Sequence, residues 1–395
     1  MMHKIFPFVL ILAIFLSCES RQPSEIENVQ NNTETNALTV GFNHIFKSEI
    51  LNENRPIIIS LPEGYSDSDA SYPVLYLTDG LQNIWHTIGT VEVLTRTGNI
   101  PPIIVVGIES VNRIRDFTIT ASENNSESGG GKKFLRFIEE ELVPYINTNY
   151  RTNSFKALEG HSLGGLFTTA TLIEKPDLFD AYIIMSPSYW WNDQEIISKG
   201  KEFFLANPTI EKALFFGVGT YESGMREFLK SFIDMIEEMK PSKLRYEHRE
   251  MEKEGHMSSP LLSNYYGLKF IFSDMKFSKE LYANFDDKDF IDHEERVMTK
   301  YGESAKQSGE NYVNLAFLLI EKENFSGAIT VLKRSIEAYP FDVNLVNLLA
   351  NVYERNKDIQ SAVKTYEKAI EISKEYNYNR EEEFQEQIDR LTTGN

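Results

Sequence analysis

Residues 160–164 read GHSLG and place a glycine two positions before and two positions after Ser162. An apolar run that begins at Phe155 leads into this pentapeptide, and a run of small and apolar residues follows it. The pattern predicts a strand, a sharp turn and a helix, with glycines where side chains would clash. Because a serine at such a turn presents its hydroxyl above the sheet edge, we predict that Ser162 is a nucleophile. The alternative is a glycine-flanked turn without a chemical role.

The base and the acid that would activate this serine follow later strands. A serine hydroxyl is a weak nucleophile near neutral pH and needs a base that a carboxylate orients. Glu222 comes after predicted strand 213–218, and His256 comes after predicted strand 243–251. This is the order serine, acid, histidine that accompanies a nucleophile at a strand-to-helix turn. We therefore predict Glu222 as the orienting carboxylate and His256 as general base and acid.

Simpler roles remain open for these side chains. Acids are favoured at helix N-termini in any case, so a solvated carboxylate is the alternative for Glu222. For His256 the alternative is a surface histidine. Asp193 follows an earlier strand and is a weaker candidate for the acid. His161, beside the serine, is expected to be a packing residue rather than a second base.

Two backbone amides are candidates for binding an oxyanion. The amide of Leu163 lies at the predicted N-terminus of the helix after the serine, where partial positive charge accumulates. The second donor is expected in the loop after predicted strand 73–77, where Gly80 allows the chain to turn. We predict the amide of Leu81 for this position. A tight turn at residues 79–80 is the alternative.

The elements that would position these groups alternate along the chain. Nearly continuous apolar runs, typical of strands buried on both faces, are separated by helical patterns. The runs cover residues 73–77, 103–108, 155–158, 181–185 and 213–218, and a more polar run at 243–251 is expected at an edge. The helical patterns cover residues 84–95, 132–148, 164–174, 194–206 and 223–238. This alternation predicts an α/β fold, a mostly parallel sheet covered by helices on both faces.

Four separated motifs resemble one known family. They are YPVLYLTDG at residues 72–80, RIRDFT at 113–118, GHSLG at 160–164 and SPSYWW at 186–191. Together they are similar to the Putative esterase (esterase D) family of α/β-hydrolases, and within it to the enterobactin and salmochelin esterase-like branch. The resemblance implies a serine-acid-histidine carboxylic ester hydrolase that needs neither metal nor organic cofactor. Its substrate would be a small-molecule ester, siderophore-like or with an aromatic acyl group.

Residues near two of these motifs are expected to border the substrate cleft. Aromatic walls and guanidinium groups would suit an aromatic or acidic acyl group through stacking and charge. The candidates are Arg113, Arg115, Tyr189, Trp190 and Trp191. The alternative is that the tryptophan pair belongs to the core and that Arg115 is a structural partner of Asp116.

The N-terminus reads as a targeting segment, residues 1–18, followed by a polar tether, residues 19–37. Lys4 precedes an apolar run at residues 5–16, and Cys18 closes the segment as the only cysteine of the chain. This placement resembles the lipobox of bacterial lipoproteins, in which the cysteine is acylated. We therefore predict an extracytoplasmic lipoprotein, periplasmic or at the cell surface, that contacts a membrane only through its lipid anchor. An ordinary secretory signal is the alternative.

Composition excludes some classes of function. The 395 residues are 41% hydrophobic, enough for a large core, and 40 basic against 59 acidic residues give a formal net charge of −19. Such a charge disfavours nucleic-acid binding, which needs a basic footprint. The predicted hydrolase domain covers residues 38–276, and a helical module covers residues 277–395.

The helical module carries an internal repeat of 34 residues. The repeat relates Ala328 to Ala362 and Leu315 to Leu349, and Pro340 closes the first copy. Period and small residues resemble tetratricopeptide repeats. A protein or peptide docking surface and a structural appendage are both open. For the whole chain, the leading hypothesis is a serine esterase acting through an acyl-enzyme on Ser162. The alternatives are a catalytically silent binding protein whose repeats recruit a partner, and an acyltransferase that uses the same residues.

Overall fold

The computed structural model describes residues 39–393. Its sheet has eight strands in the order β1-β2-β4-β3-β5-β6-β7-β8. Strand β1 pairs antiparallel with β2, and β2 pairs antiparallel with β4, whereas all other neighbours are parallel. The strands are β1 Phe42–Ser48, β2 Glu53–Ser60, β3 Tyr72–Thr78, β4 Ile104–Ile108, β5 Thr152–His161, β6 Ala181–Met185, β7 Ala213–Gly219 and β8 Arg245–Met251. The predicted α/β fold with a mostly parallel sheet is confirmed.

The central strands are buried because their apolar runs face helices on both sides. Every residue of β3, β4, β6 and β7 is buried, as expected for parallel strands between two helical layers. Strand β8 is only half-buried and lies at one edge of the sheet, where its sequence predicted it. At the other edge, β1 alternates between exposed and half-buried residues.

Helices cover both faces of the sheet. Beside the sheet lie α1 Gly80–Arg96, α2 Arg113–Phe117, α3 Gly131–Phe137, α4 Val143–Asn149, α5 Leu163–Glu174, α6 Glu195–Ala206, α7 Ser223–Met239 and α8 Ser259–Ile271. One hydrophobic core packs α3 to α7 on one face of the sheet. A second core packs α1 and α8 on the opposite face. The helix predicted at residues 132–148 is interrupted by a short π-helical segment, Ile138–Leu142, between α3 and α4.

The regular secondary structure in the described part of the C-terminal region consists of helices. Its helices are α9 Lys279–Ala283, α10 Asp287–Tyr301, α11 Gly309–Glu321, α12 Phe325–Ala338, α13 Val343–Arg355, α14 Ile359–Tyr376 and α15 Glu381–Thr393. A third core runs through these helices. Ala328 and Ala362 are fully buried at equivalent positions of α12 and α14, which explains why the 34-residue repeat keeps small residues there.

Helix α10 joins the two regions. Its Val297 and Tyr301 belong to the second core of the sheet, and the Tyr301 ring lies 4.9 Å from the ring of Phe155 in β5. Phe290 of the same helix belongs to the third core. Within the described residues, the chain from Val40 onward forms one compact unit, so the proposed domain boundary after residue 276 stays a prediction.

The predicted targeting segment and tether, including Cys18, lie outside the described residues. In the described part of the chain, every helix is too short or too polar to cross a membrane.

Candidate active site

Ser162 lies at the turn between β5 and α5, in a strained backbone conformation. Its φ of 61° and ψ of −119° are unfavourable for a residue with a side chain. A Cβ on Gly160 would lie 2.3 Å from the carbonyl oxygen of Gly164, so a side chain at position 160 would clash with the start of α5. Two hydrogen bonds hold the turn: the Ser162 amide donates to Met185 O, and the Ser188 amide donates to Ser162 O. The sequence therefore forms the predicted strand, turn and helix, with the serine where the two glycines allow close packing.

The structure brings Ser162, His256 and Glu222 together from three loops. His256 lies between β8 and α8, and its Nε2 is 3.0 Å from Ser162 Oγ. Its Nδ1 is 2.6 Å from Glu222 Oε2, at the end of the turn after β7. The three strands β5, β7 and β8 are parallel, so their carboxyl ends lie on the same side of the sheet. This side, where Ser162, Glu222 and His256 follow the strands, is the catalytic edge. Hydroxyl, imidazole and carboxylate form a continuous hydrogen-bonded chain at this edge.

Glu222 is held as a carboxylate. The side chain is buried, and burial alone would raise its pKa. Hydrogen bonds from His256, Ser186 and the Gly219 amide outweigh burial and lower the pKa of Glu222 below its ordinary value. Oε1 accepts from the Gly219 amide and Ser186 Oγ, each at 2.8 Å, and from Ser259 Oγ at 3.0 Å. A carboxylate fixed in this way can orient His256 Nδ1–H and stabilise a positive charge on the ring.

His161 packs against the base. Its ring centroid lies 4.4 Å from that of His256, and the side chain is buried. Neither ring nitrogen has a hydrogen-bond partner within the described residues. Burial, with a smaller contribution from the nearby His256, lowers the pKa of His161 to about 3. The ring is therefore neutral near pH 7 and supports His256 by contact.

The two predicted oxyanion donors begin helices next to the serine. Leu163 is the first residue of α5, and Leu81 is the second residue of α1. A Cβ on Gly164 would lie 2.4 Å from Thr78 Oγ1, so the end of β3 and the serine turn are in close contact. The amide of Leu81 donates to Glu109 Oε2 at 2.9 Å. Glu109 was not expected at this position from the sequence.

Both candidate arginines are bound to carboxylates of the protein. Arg113 forms a two-pronged ion pair with Asp79, at 2.8 and 2.9 Å. Arg115 pairs with Asp116 at 2.7 Å and with Glu53 at 2.8 Å. The alternative interpretation, in which Arg115 is a structural partner of Asp116, agrees with this geometry. Arg113 is partly exposed, but its guanidinium holds the loop that precedes α1.

The aromatic candidates differ in exposure. Tyr189 is fully buried, and its hydroxyl lies 2.6 Å from that of Thr169. A substrate could not reach it, so the predicted substrate contact of Tyr189 is corrected to a core role: the turn directs the ring inward. Trp191 also belongs to the core, whereas Trp190 is 44% exposed. Only Trp190 of the three can offer a broad surface to a ligand.

Three serines near the site were missed from the sequence. Ser186 and Ser259 bind Glu222, and Ser188 Oγ lies 3.3 Å from Ser162 Oγ. Ser186 and Ser188 follow β6 and Ser259 begins α8, so polar residues just beyond parallel strands were the available indication. Among residues 39–393, no hydrogen bond or ion pair joins Asp193 to His256, and Glu222 occupies the acid position.

The chain is similar to a known family and to known proteins. The family described as Putative esterase matches residues 48–257, and a tetratricopeptide repeat matches residues 343–376. Ferri-bacillibactin esterase BesA of Bacillus subtilis is 32% identical over 257 residues, which cover 58% of this chain and 89% of that protein.

Solved structures show the same fold. An IroE-like serine hydrolase from Shewanella oneidensis is 26% identical with a TM-score of 0.63, covering 75% of this chain and 99% of its own. A protein from Capnocytophaga ochracea shares the fold at 18% identity and a TM-score of 0.65, and the match covers 89% of this chain and 99% of its own. The second match therefore extends into the C-terminal helices.

Proposed function

Because this chain belongs to the Putative esterase family, we propose that it is a serine hydrolase that cleaves carboxylic esters through an acyl-enzyme on Ser162. The observation that carries this proposal is the hydrogen-bonded chain from Ser162 through His256 to Glu222. Its distances are within the range in which a base can take a proton from a hydroxyl.

The first half of the reaction forms the acyl-enzyme. Ser162 Oγ attacks the ester carbonyl carbon while its proton passes to His256 Nε2. The resulting imidazolium is stabilised by Glu222, and the oxyanion accepts hydrogen bonds from the amides of Leu163 and Leu81. When the tetrahedral intermediate collapses, the C–O bond to the alcohol breaks and His256 returns the proton to the departing oxygen.

The second half releases the acid. His256 takes a proton from a water molecule, and the hydroxide oxygen bonds to the acyl carbon. Collapse of this second intermediate breaks the bond to Ser162 Oγ, which recovers its proton from His256. The products are the free alcohol and carboxylic acid, and the enzyme returns to its starting state.

For the substrate, we propose a siderophore-like ester or another ester with an aromatic acyl group. BesA is a ferri-bacillibactin esterase by name, and its match covers most of that protein. Trp190 supports an aromatic ligand because it is exposed beside the serine loop.

A fluorophosphonate probe tests the nucleophile. The probe should label the wild type and should not label Ser162→Ala. Ser154→Ala is a matched control, because Ser154 is exposed near the other end of β5. Labelling that persists in Ser162→Ala would contradict the proposal, and a wild type that never reacts would favour the silent binding protein. Hydrolysis of aryl, acetyl, feruloyl and trilactone esters then defines the substrate class.

An acyltransferase would use the same acyl-enzyme. The two activities are separated by adding an alcohol acceptor to the hydrolysis assay. Release of free acid at an unchanged rate supports the hydrolase, whereas a new ester formed in preference to the acid supports transfer. The docking role of the repeats takes no part in this chemistry and stays a prediction.

We also propose that Cys18 is acylated and holds the protein at a bacterial membrane outside the cytoplasm. The proposal rests on the cysteine that closes the N-terminal apolar run. The wild type should incorporate labelled fatty acid and partition into detergent, and Cys18→Ser should do neither. A secreted protein without incorporated lipid would overturn the anchor.

A further inference from the structure

The Glu109 carboxylate accepts a hydrogen bond from the Leu81 amide, which the proposed reaction assigns to the oxyanion. Glu109 is the first residue after β4, and its Oε2 accepts from the Leu81 amide at 2.9 Å. Strands β3 and β4 are parallel neighbours, so Leu81 and Glu109 follow strands that end at the same edge. The close approach of the two loops is visible at Gly80, where a Cβ would lie 2.9 Å from the Gly107 carbonyl carbon.

The backbone of Glu109 is fixed. Its amide donates to Pro56 O at 3.1 Å, and its carbonyl oxygen accepts from Arg55 Nη1 at 2.8 Å. Arg55 is fully buried. The side chain of Glu109 can rotate away from Leu81, but its backbone is held in place by Pro56 and Arg55.

The carboxylate takes the place of a missing helix cap. Asp79 precedes α1, but its side chain forms no capping hydrogen bond, because both its oxygens bind Arg113. Glu109 instead satisfies the Leu81 amide at the start of α1. A carboxylate is favoured there by the partial positive charge of a helix N-terminus, and an oxyanion would compete for the same N–H.

The positive charges near Glu109 are already paired. Arg113 is paired with Asp79. The group formed by Arg55, Arg115, Asp116 and Glu53, of which only Arg55 and Asp116 are buried, holds two cations and two anions. Glu109 itself has no ion pair within 4.0 Å among residues 39–393. Its carboxylate therefore lies at the Leu81 amide without a paired cation from the described part of the chain.

Apolar surface is exposed on the side of the sheet that carries Ser162. Large apolar side chains are exposed on segments that follow the carboxyl ends of the strands: Leu81, Trp85, Val111, Trp190, Tyr221, Met257 and Leu261. Such side chains suit an uncharged aromatic or aliphatic ligand, and they offer nothing to neutralise an anionic one.

We propose that Glu109 is a specificity-determining residue that excludes anionic acyl groups from the site. Its carboxylate repels a negative charge on the acyl part, and the developing oxyanion must displace it from the Leu81 amide. Of the two substrate classes proposed above, an ester with an uncharged aromatic acyl group is therefore favoured over an anionic ferri-siderophore. This narrows the expectation from the sequence, which included acidic acyl groups because Arg113 and Arg115 were expected to be free. The inference rests on the proposed esterase function.

A pair of rigid aryl esters tests this selectivity. The probes are the 4-nitrophenyl esters of 4-ethylbenzoic acid and of terephthalic acid, which differ at one para position by an ethyl group or a carboxylate. The wild type should hydrolyse the uncharged ester with a kcat/KM at least tenfold higher. This preference should shrink at high salt, which screens the carboxylate pair. Electronic differences between the esters cancel when their kcat/KM ratio is compared between variants.

Two variants separate the charge of Glu109 from its hydrogen bond. Glu109→Gln keeps an oxygen acceptor for the Leu81 amide but loses the charge, so the preference should shrink about tenfold through faster hydrolysis of the terephthalate ester. Glu109→Ala also frees the amide and should raise kcat/KM for both esters. Glu63→Gln is the matched control: Glu63 is exposed after β2, which is antiparallel to β4 and ends at the opposite edge.

Different results overturn different statements. An unchanged preference in Glu109→Gln, with normal fluorophosphonate labelling of Ser162, contradicts the role of Glu109 and leaves the esterase intact. Equal rates for both esters in the wild type do the same. A wild type that hydrolyses neither ester and does not react with the fluorophosphonate contradicts the proposed function, and the inference with it.

Discussion

The catalytic edge of the sheet and the helical repeats obtain their geometry in different ways. At the edge, the hydrogen bonds from His256 reach residues 34 and 94 positions away. In the repeats, α12 is capped by Asn324, whose side chain accepts from an amide three residues on. The α14 helix repeats this cap 34 residues later with Asp358. The site therefore depends on the whole sheet, whereas each repeat depends mainly on its own turns.

The two regions also differ in how they hold unfavourable backbone conformations. Asp79, Ser162 and Ser186 each directly follow a strand and have φ of 53°, 61° and 41°. The loops they begin carry the side chains and amides of the site. In the repeats, Glu323 and Lys357 have similar φ values, but both are exposed and do no more than turn the chain. Substitutions in the loops that carry the site should therefore change activity more than stability, and substitutions in the repeats should do the reverse.

The largest effect is expected for Glu222→Gln. The amide keeps the shape of the carboxylate but removes the charge that stabilises His256 as an imidazolium, so kcat should fall by roughly 10³ to 10⁴. Steady-state kinetics on an activated ester measure this. Glu211→Gln, an exposed acid before β7, should leave kcat unchanged. A loss below tenfold in Glu222→Gln would show that this carboxylate does not orient and stabilise His256 during the reaction.

The next largest effect is expected at Glu159, a buried residue of β5 three positions before the nucleophile. Burial raises the pKa of Glu159 to about 8, against an ordinary 4.5. The folded protein thus keeps this carboxyl protonated where the unfolded chain ionises it. Unfolding therefore releases a proton between about pH 4.5 and 8, and the free energy of unfolding falls as the pH rises through this window.

Glu159→Gln removes that proton release. The melting temperature of the variant should exceed that of the wild type by about 5 °C at pH 8, and the difference should vanish or reverse near pH 5. Melting curves of both proteins across this range measure it, and all other titrating groups are common to the two. A difference that stays constant from pH 5 to pH 8 would mean that Glu159 does not carry the raised pKa.

The sequence predicted the sheet and the reacting residues because both follow simple patterns. Continuous apolar runs mark the buried strands, and the residue order after β5, β7 and β8 assigns Ser162, Glu222 and His256. Strands that run parallel bring their carboxyl ends together whatever the loops do. That rule is enough to group three distant side chains.

The remaining contacts depend on the direction of side chains in loops. Loops have no regular hydrophobic pattern from which that direction could be predicted. The carboxylate partner of Arg113 is 34 residues away, and the second partner of Arg115 is 62 residues away. Tyr189 points into the core although its neighbour Trp190 is exposed. The contact between Glu109 and the Leu81 amide likewise joins two loops that only the finished sheet places side by side.

A smaller effect is expected for Ser259→Ala. Ser259 Oγ is one of three donors to Glu222 Oε1, so its loss loosens the carboxylate without removing it. We expect kcat to fall about tenfold, equivalent to about 1.4 kcal/mol, with little change in KM. Ser231→Ala, an exposed serine on α7, serves as control. An unchanged kcat would show that the remaining two donors suffice.

The smallest effect tests the repeats themselves. Asn324→Ala removes the cap of α12, a hydrogen bond of 3.0 Å to the Gly327 amide, and should lower the free energy of unfolding by about 1 kcal/mol. Asn324→Asp keeps an acceptor and should retain most of the stability. Thermal melts measure both, and kcat below the melting temperature should match the wild type. A fall in kcat would mean that repeats and edge are coupled. Helix α10 offers one route for such coupling, because its Tyr301 packs on Phe155 near the start of the strand that ends before the nucleophile.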